Sequence, residues 1–217
     1  MQKSTAVTVA ILVMALLAQF GCSSTRSNTE ALPQVDPLQV RRANGVVQDI
    51  RIADAMAYHH RHEDHADTPS SDEQDHEHEL CIGVVSGYQA IRFAGARLFP
   101  NGTPDASDIE LSARGGMPGV WDVFELYTGR EMVRPARQVG TPSISPASFT
   151  FEAKQISTDQ SISFRLREGL IPARFYELKA QGMGCDVPEV NEVKSRAARL
   201  ILNTPPTDCF DLLPLEK

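Results

Sequence analysis

Residues 59–79, HHRHEDHADTPSSDEQDHEHE, constrain this chain most, because they hold all six of its histidines and eight of its acidic residues. No side chain there is apolar and larger than Ala66, so the stretch has nothing to bury and cannot contribute a core. It must be a solvated insertion. The core is therefore built from what precedes and follows it. Downstream, Ile82 to Phe99 carries apolar residues over its whole length and reads as a buried helix, stopped by Pro100, Asn101 and Gly102. Upstream, Asp49 to Tyr58 has a looser helical face of Ile50, Ile52, Ala53 and Met56.

The remaining pattern mixes strands and helices. Ile109 to Ala113 suits a strand, and a Gly-rich turn at 114–119 leads to a short helix from Val120 to Tyr127 that Gly129 ends. Ser148 to Lys154 and Ile162 to Leu166 alternate polar and apolar residues around a polar turn, which reads as a hairpin. Helices at Pro172–Ala180 and Pro188–Asn203 close the chain. The expected fold class is α+β, with helices packed on a small mixed or antiparallel sheet in a single domain.

The N-terminus points to export. Lys3 is followed by an uncharged run from Ala6 to Ala18, which has the length of a signal-peptide core and is too short to span a bilayer. Gly21-Cys22-Ser23-Ser24 resembles a lipobox, although Gln19 and Phe20 stand where small residues are preferred. The expected organisation is a lipoprotein signal peptide at 1–21, lipidation of Cys22, a flexible tether at 22–46 and one domain at 47–217. The expected location is the cell envelope, facing the periplasm, with the lipid holding the chain to a membrane. The net charge of −7 disfavours nucleic acid as a partner. Of the other cysteines, Cys185 and Cys209 are expected to form a disulfide in an oxidising compartment, worth about 3 kcal/mol in the chain-entropy account. Cys81 is left over.

Cys81 lies close to the histidines, and thiolate with imidazole is a donor set for zinc, copper or nickel. The candidate ligands are His59, His60, His62, His76, His78 and Cys81, with a divalent metal, zinc first, as the cofactor. His62-Glu63-Asp64-His65 does not have the spacing of the metalloprotease helix motif. Asp122 is a candidate supporting carboxylate or a helix cap. With every histidine inside one short window, the sequence offers no Ser-His-Asp arrangement.

Leu80-Cys81-Ile82-Gly83-Val84-Val85-Ser86-Gly87-Tyr88-Gln89-Ala90 resembles the FmdE-like family of formylmethanofuran dehydrogenase components, whose His-Gly-His-Leu-Cys-Pro-Gly hallmark opens a helix continuing Gly-Tyr-Arg-Ala. A second block of that family, Cys-x-x-Asp-Ala-Ile-Gln-x-x-Thr-Gly, aligns with Gly119 to Gly129 and places its Asp on Asp122. The block's cysteine is Gly119 here, and the insertion separates the histidines from Cys81. Tyr58-His59-His60-Arg61-His62 and His76-Glu77-His78 are alternative partners for the family's histidines. The resemblance implies a metal-binding α+β domain with its cysteine at a helix N-terminus, without the archaeal enzyme's zinc-ribbon cysteines. The functional expectation is a metal buffer, carrier or accessory lipoprotein. The alternatives are a metal-dependent enzyme or an oxidoreductase accessory component of that family type, and an interaction module with a merely solvated loop.

Overall fold

The computed structural model describes residues 33–63, 80–115, 117–134, 144–184 and 187–215. The described residues begin at 33, and regular structure begins before the expected domain start at residue 47. Leu38–Arg41 forms strand β1 and pairs antiparallel with β2, Val47–Ile50, in the register Leu38↔Ile50. The reason is burial: Leu38, Val40 and Ile50 all point into the core, and Gly45 turns the chain between the strands at φ +81. The polar, Pro-containing surroundings hide this short alternation in the sequence.

Helix α1, Ile52–Glu63, follows at once, and the Asp54 carboxylate accepts the Arg51 N–H at 2.7 Å to start it. Its buried face is Ile52, Ala55, Met56 and His59. These positions follow the i, i+3, i+4, i+7 rule, so His59 occupies the place of a core residue. Helix α2, Ile82–Leu98, has thirteen of its seventeen residues buried, which makes it the central helix with neighbours on every side. Helix α3, Pro118–Thr128, starts with Pro at its first turn and ends at Gly129, whose φ of +67 gives the left-handed cap.

Helices α2 and α3 meet backbone to backbone. Gly83 and Gly87, one turn apart on α2, face Gly119 and Val120 of α3. A Cβ on Gly119 would lie 2.7 Å from the Val84 nitrogen and 3.2 Å from the Cys81 sulfur, and one on Gly87 would lie 3.2 Å from the Val120 Cα. At Gly119 no larger residue fits between the helices without moving them.

Four strands form one antiparallel sheet in the order β3–β4–β5–β6, made of Ile109–Ala113, Thr150–Gln155, Gln160–Leu166 and Phe210–Leu213. The expected hairpin is β4–β5, with Ala153 opposite Ile162, and β6 is an added edge strand that closes the sheet. Ile109, Leu111, Phe151, Ala153, Phe164, Leu166 and Phe210 are buried, while Glu110, Ser112, Glu152 and Arg165 stand exposed between them. Phe93 of α2 sits 4.9 Å from the Phe164 ring and 5.2 Å from that of Phe210, joining the helices to the sheet. Helices α4, Ala173–Ala180, α5, Pro188–Asn203, and α6, Pro206–Cys209, complete the α+β fold. Gln89 of α2 donates to the Ile201 carbonyl at 2.8 Å and the Thr204 carbonyl at 3.0 Å, satisfying the end of α5 from the core. The Tyr88 hydroxyl accepts the Leu38 N–H at 3.2 Å and faces the Ile50 carbonyl at 3.0 Å, which ties the small β1–β2 sheet to α2.

The helix crossing is testable against a glycine in open space. Gly119→Ala should cost about 1–3 kcal/mol in denaturant unfolding. Gly102→Ala, where an added Cβ meets nothing within 4 Å, should stay within about 0.5 kcal/mol of the parent. Equal effects from the two substitutions would contradict the close approach.

Candidate active site

Three helices converge where α2 begins. Cys81 is its N-cap residue, extended at φ −89 and ψ 125, so its side chain stands over the first turn rather than along the helix. His59 comes from the last turns of α1 and Asp122 from the second turn of α3. His59 Nδ1 and Asp122 Oδ2 are 2.5 Å apart, and the two side chains are only 2% and 1% exposed. His59 also hydrogen-bonds the Cys81 side chain. With Nδ1 committed to Asp122, Nε2 is the nitrogen left for sulfur. The arrangement is thus Cys81–His59–Asp122, with the imidazole bridging a thiol and a carboxylate.

The electrostatics follow from that bridge. Burial pushes the Cys81 thiol up, but the hydrogen bond from His59, its charge, and the Val84 and Gly83 amides at the helix start more than offset it. The net result is a thiol below its ordinary value, the condition for a reactive cysteine. Cys209 is the opposite case. Burial first, and Asp208 second, push it up to about 12, and its Sγ–H points at the Ile201 and Thr204 carbonyls at 3.5 and 3.4 Å.

Asp122 has a second partner. Arg134 Nη2 donates to Asp122 Oδ1 at 2.6 Å and to Glu125 Oε2 at 2.7 Å, while Glu125 Oε1 accepts the Met132 N–H at 3.2 Å. Burial lowers the Arg134 guanidinium, but Glu125 and Asp122 outweigh it and hold it above its usual range. Tyr58, raised by burial and by the carboxylates of Glu125 and Asp122, stands beside this network. A groove of about 800 Å³ borders it, lined among others by Tyr58, His62, Glu125, Arg130, Met132 and Arg134, but Cys81 and His59 do not line it.

The structure therefore unites three of the residues singled out in the sequence and separates others. His60 is half-buried, with its ring 6.1 Å from that of His59. His62 is exposed, stacks on Tyr58 at 4.2 Å and bonds the Tyr58 carbonyl through Nδ1 at 2.7 Å. His76, His78, Cys22 and Cys185 lie outside the described residues. Cys209, which the sequence reading pairs with Cys185, is a free and buried thiol. Among the described residues no three His, Cys, Asp or Glu side chains converge on a metal position. The sequence offers no Ser-His-Asp arrangement; the structure instead brings a cysteine, Cys81, together with His59 and Asp122, because α1 carries His59 into the core. Asp122 is a direct partner of His59 rather than a helix cap. Arg134 and Glu125 were not singled out: Glu125 stands in the second family block without a role of its own there, and Arg134 stands in no motif and reaches Asp122 only through the fold of 129–134.

Comparison of the chain with protein-family models, curated proteins and solved structures finds no match.

Iodoacetamide alkylation across a pH series, read by mass spectrometry, should modify Cys81 with a midpoint below that of an ordinary thiol and leave Cys209 unmodified until unfolding. In His59→Ala the largest compensating contribution goes while burial and the Val84 and Gly83 amides stay, so the midpoint should rise relative to the parent. An unchanged midpoint would mean that His59 does not govern the sulfur.

Proposed function

We propose that this chain is an exported, lipid-anchored protein of the cell envelope whose working centre is the Cys81 thiolate, acting on electrophilic carbonyl compounds by acyl transfer or hydrolysis. What carries the reading is the position of His59, bonded to buried Asp122 on one side and to Cys81 on the other. Such a histidine has a fixed tautomer and orientation and serves as base, then acid, for the sulfur. His59 Nε2 takes the Cys81 proton, and Sγ adds to the carbonyl carbon while the C=O electron pair moves to oxygen. Collapse of the adduct expels the leaving group with the proton from His59 and leaves a thioester. Water, deprotonated by His59, attacks the thioester, and Cys81 departs as thiolate. Asp122 accepts the Nδ1–H bond throughout. Export and lipidation rest on the sequence of the first 22 residues.

A second reading is favoured by chain continuity. The histidine- and acid-rich segment runs in sequence from the end of α1 to Leu80, directly before Cys81. In this reading the segment takes up a divalent metal, zinc first, and the chain acts as a buffer, carrier or accessory protein, as its resemblance to the FmdE-like family implies.

A p-nitrophenyl ester assay beside elemental analysis separates the two. The thiolate reading expects a burst of one nitrophenol per chain, abolished in Cys81→Ala and slowed about 10²–10⁴-fold in His59→Ala. Absence of both burst and acyl adduct, together with tightly held zinc that is lost in Cys81→Ala, would replace it with the metal reading.

A further inference from the structure

We propose that Arg134 is a positioning residue for the thiol centre: by neutralising Glu125 beside Asp122, it keeps the Asp122 carboxylate turned toward His59. The inference rests on the thiolate reading above. Asp122 and Glu125 stand one helical turn apart on α3, both essentially buried, with carboxylates close enough that one nitrogen of Arg134 reaches each, at 2.6 and 2.7 Å. Two carboxylates this close repel unless a cation lies between them. The guanidinium fork suits the task because Nη2 serves both acids while Nε also reaches Glu125 at 3.3 Å. Glu125 in turn holds the stretch of chain that delivers the arginine, through the Met132 N–H.

The consequence concerns direction. Asp122 has two oxygens, and Arg134 takes Oδ1, leaving Oδ2 for His59 Nδ1. Without the cation, the Asp122 carboxylate faces that of Glu125 with nothing between, and rotation away from Glu125 breaks its alignment with His59. The imidazole then loses its fixed orientation, and the sulfur loses the donor that compensates its burial. The charged and titratable groups around Asp122 are His59 and Tyr58 from α1, Glu125 from α3 and Arg134, with Cys81 beyond His59 and Arg61 over the Tyr58 ring at 5.8 Å. Among these, Arg134 is the fixed cation that contacts both carboxylates.

The test is the pH profile of Cys81 alkylation by iodoacetamide in the full chain, for the parent, Asp122→Asn, Arg134→Met and Arg134→Met with Glu125→Gln. Arg134→Met should raise the midpoint by about one pH unit, an approximately tenfold loss of thiolate below it. Adding Glu125→Gln should restore most of that loss, a rescue that a merely structural arginine would not show. If Asp122→Asn shifts the profile while Arg134→Met leaves it at the parental position, or if Glu125→Gln gives no rescue, the role assigned to Arg134 is wrong. If Asp122→Asn itself changes nothing, the thiol centre falls and Arg134 with it. Arg134→Lys, which keeps the charge but loses the fork, should shift the midpoint in the same direction by less and serves if Arg134→Met does not fold.

Discussion

The contact between the first turns of α2 and α3, made where α3 presents the bare backbone of Gly119, is the constraint on which the rest of the molecule depends. Gly119 rests against the Val84 nitrogen and the Cys81 sulfur, so the N-cap of α2 and the start of α3 form one surface. Asp122 lies one turn further along α3, and the helix rise carries it to the level where α1 delivers His59. A side chain at 119 would separate α2 from α3 and with them the sulfur from the carboxylate.

Burying two acids and a histidine together is costly unless each finds a partner, and the more exposed Arg134 supplies the countercharge. In this chain the partners form a closed sequence: Glu125 and Asp122 share Arg134, Asp122 takes His59, and His59 meets Cys81. The two described cysteines show what the surroundings alone can do. Cys209 has carbonyl oxygens to face and burial to raise it, and is chemically quiet. Cys81, half-buried, has an imidazole and helix-start amides, and they outweigh the burial that raises it.

The long apolar run of α2 and the alternation of the β4–β5 hairpin made the α+β class legible, because burial on every side and burial on one face leave different periods in a sequence. The β1 strand was not legible, since four residues give too little alternation to stand out from a polar, Pro-containing stretch. Nor was β6, whose pairing with β5 spans 40 residues or more of intervening chain. At the site, Cys81, His59 and Asp122 were each visible as candidates, but their roles were not. His59 looked like the first residue of a solvated segment, whereas its i+7 relation to Ile52 and i+3 relation to Met56 put it on the buried face of α1. Arg134 was invisible because its meeting with Asp122 is decided by the path of 129–134 and not by any periodicity.

A thiol made reactive by a buried histidine–carboxylate pair is the property from which the proposed chemistry follows, and the state of His59 reports it directly. Proton–nitrogen NMR of the chain labelled in histidine observes both ring nitrogens. The account predicts a His59 Nδ1 proton far downfield and protected from exchange, lost in Asp122→Asn, and an Nε2 resonance that moves when Cys81 is alkylated. An exchangeable Nδ1, or an Nε2 indifferent to the state of Cys81, would contradict it.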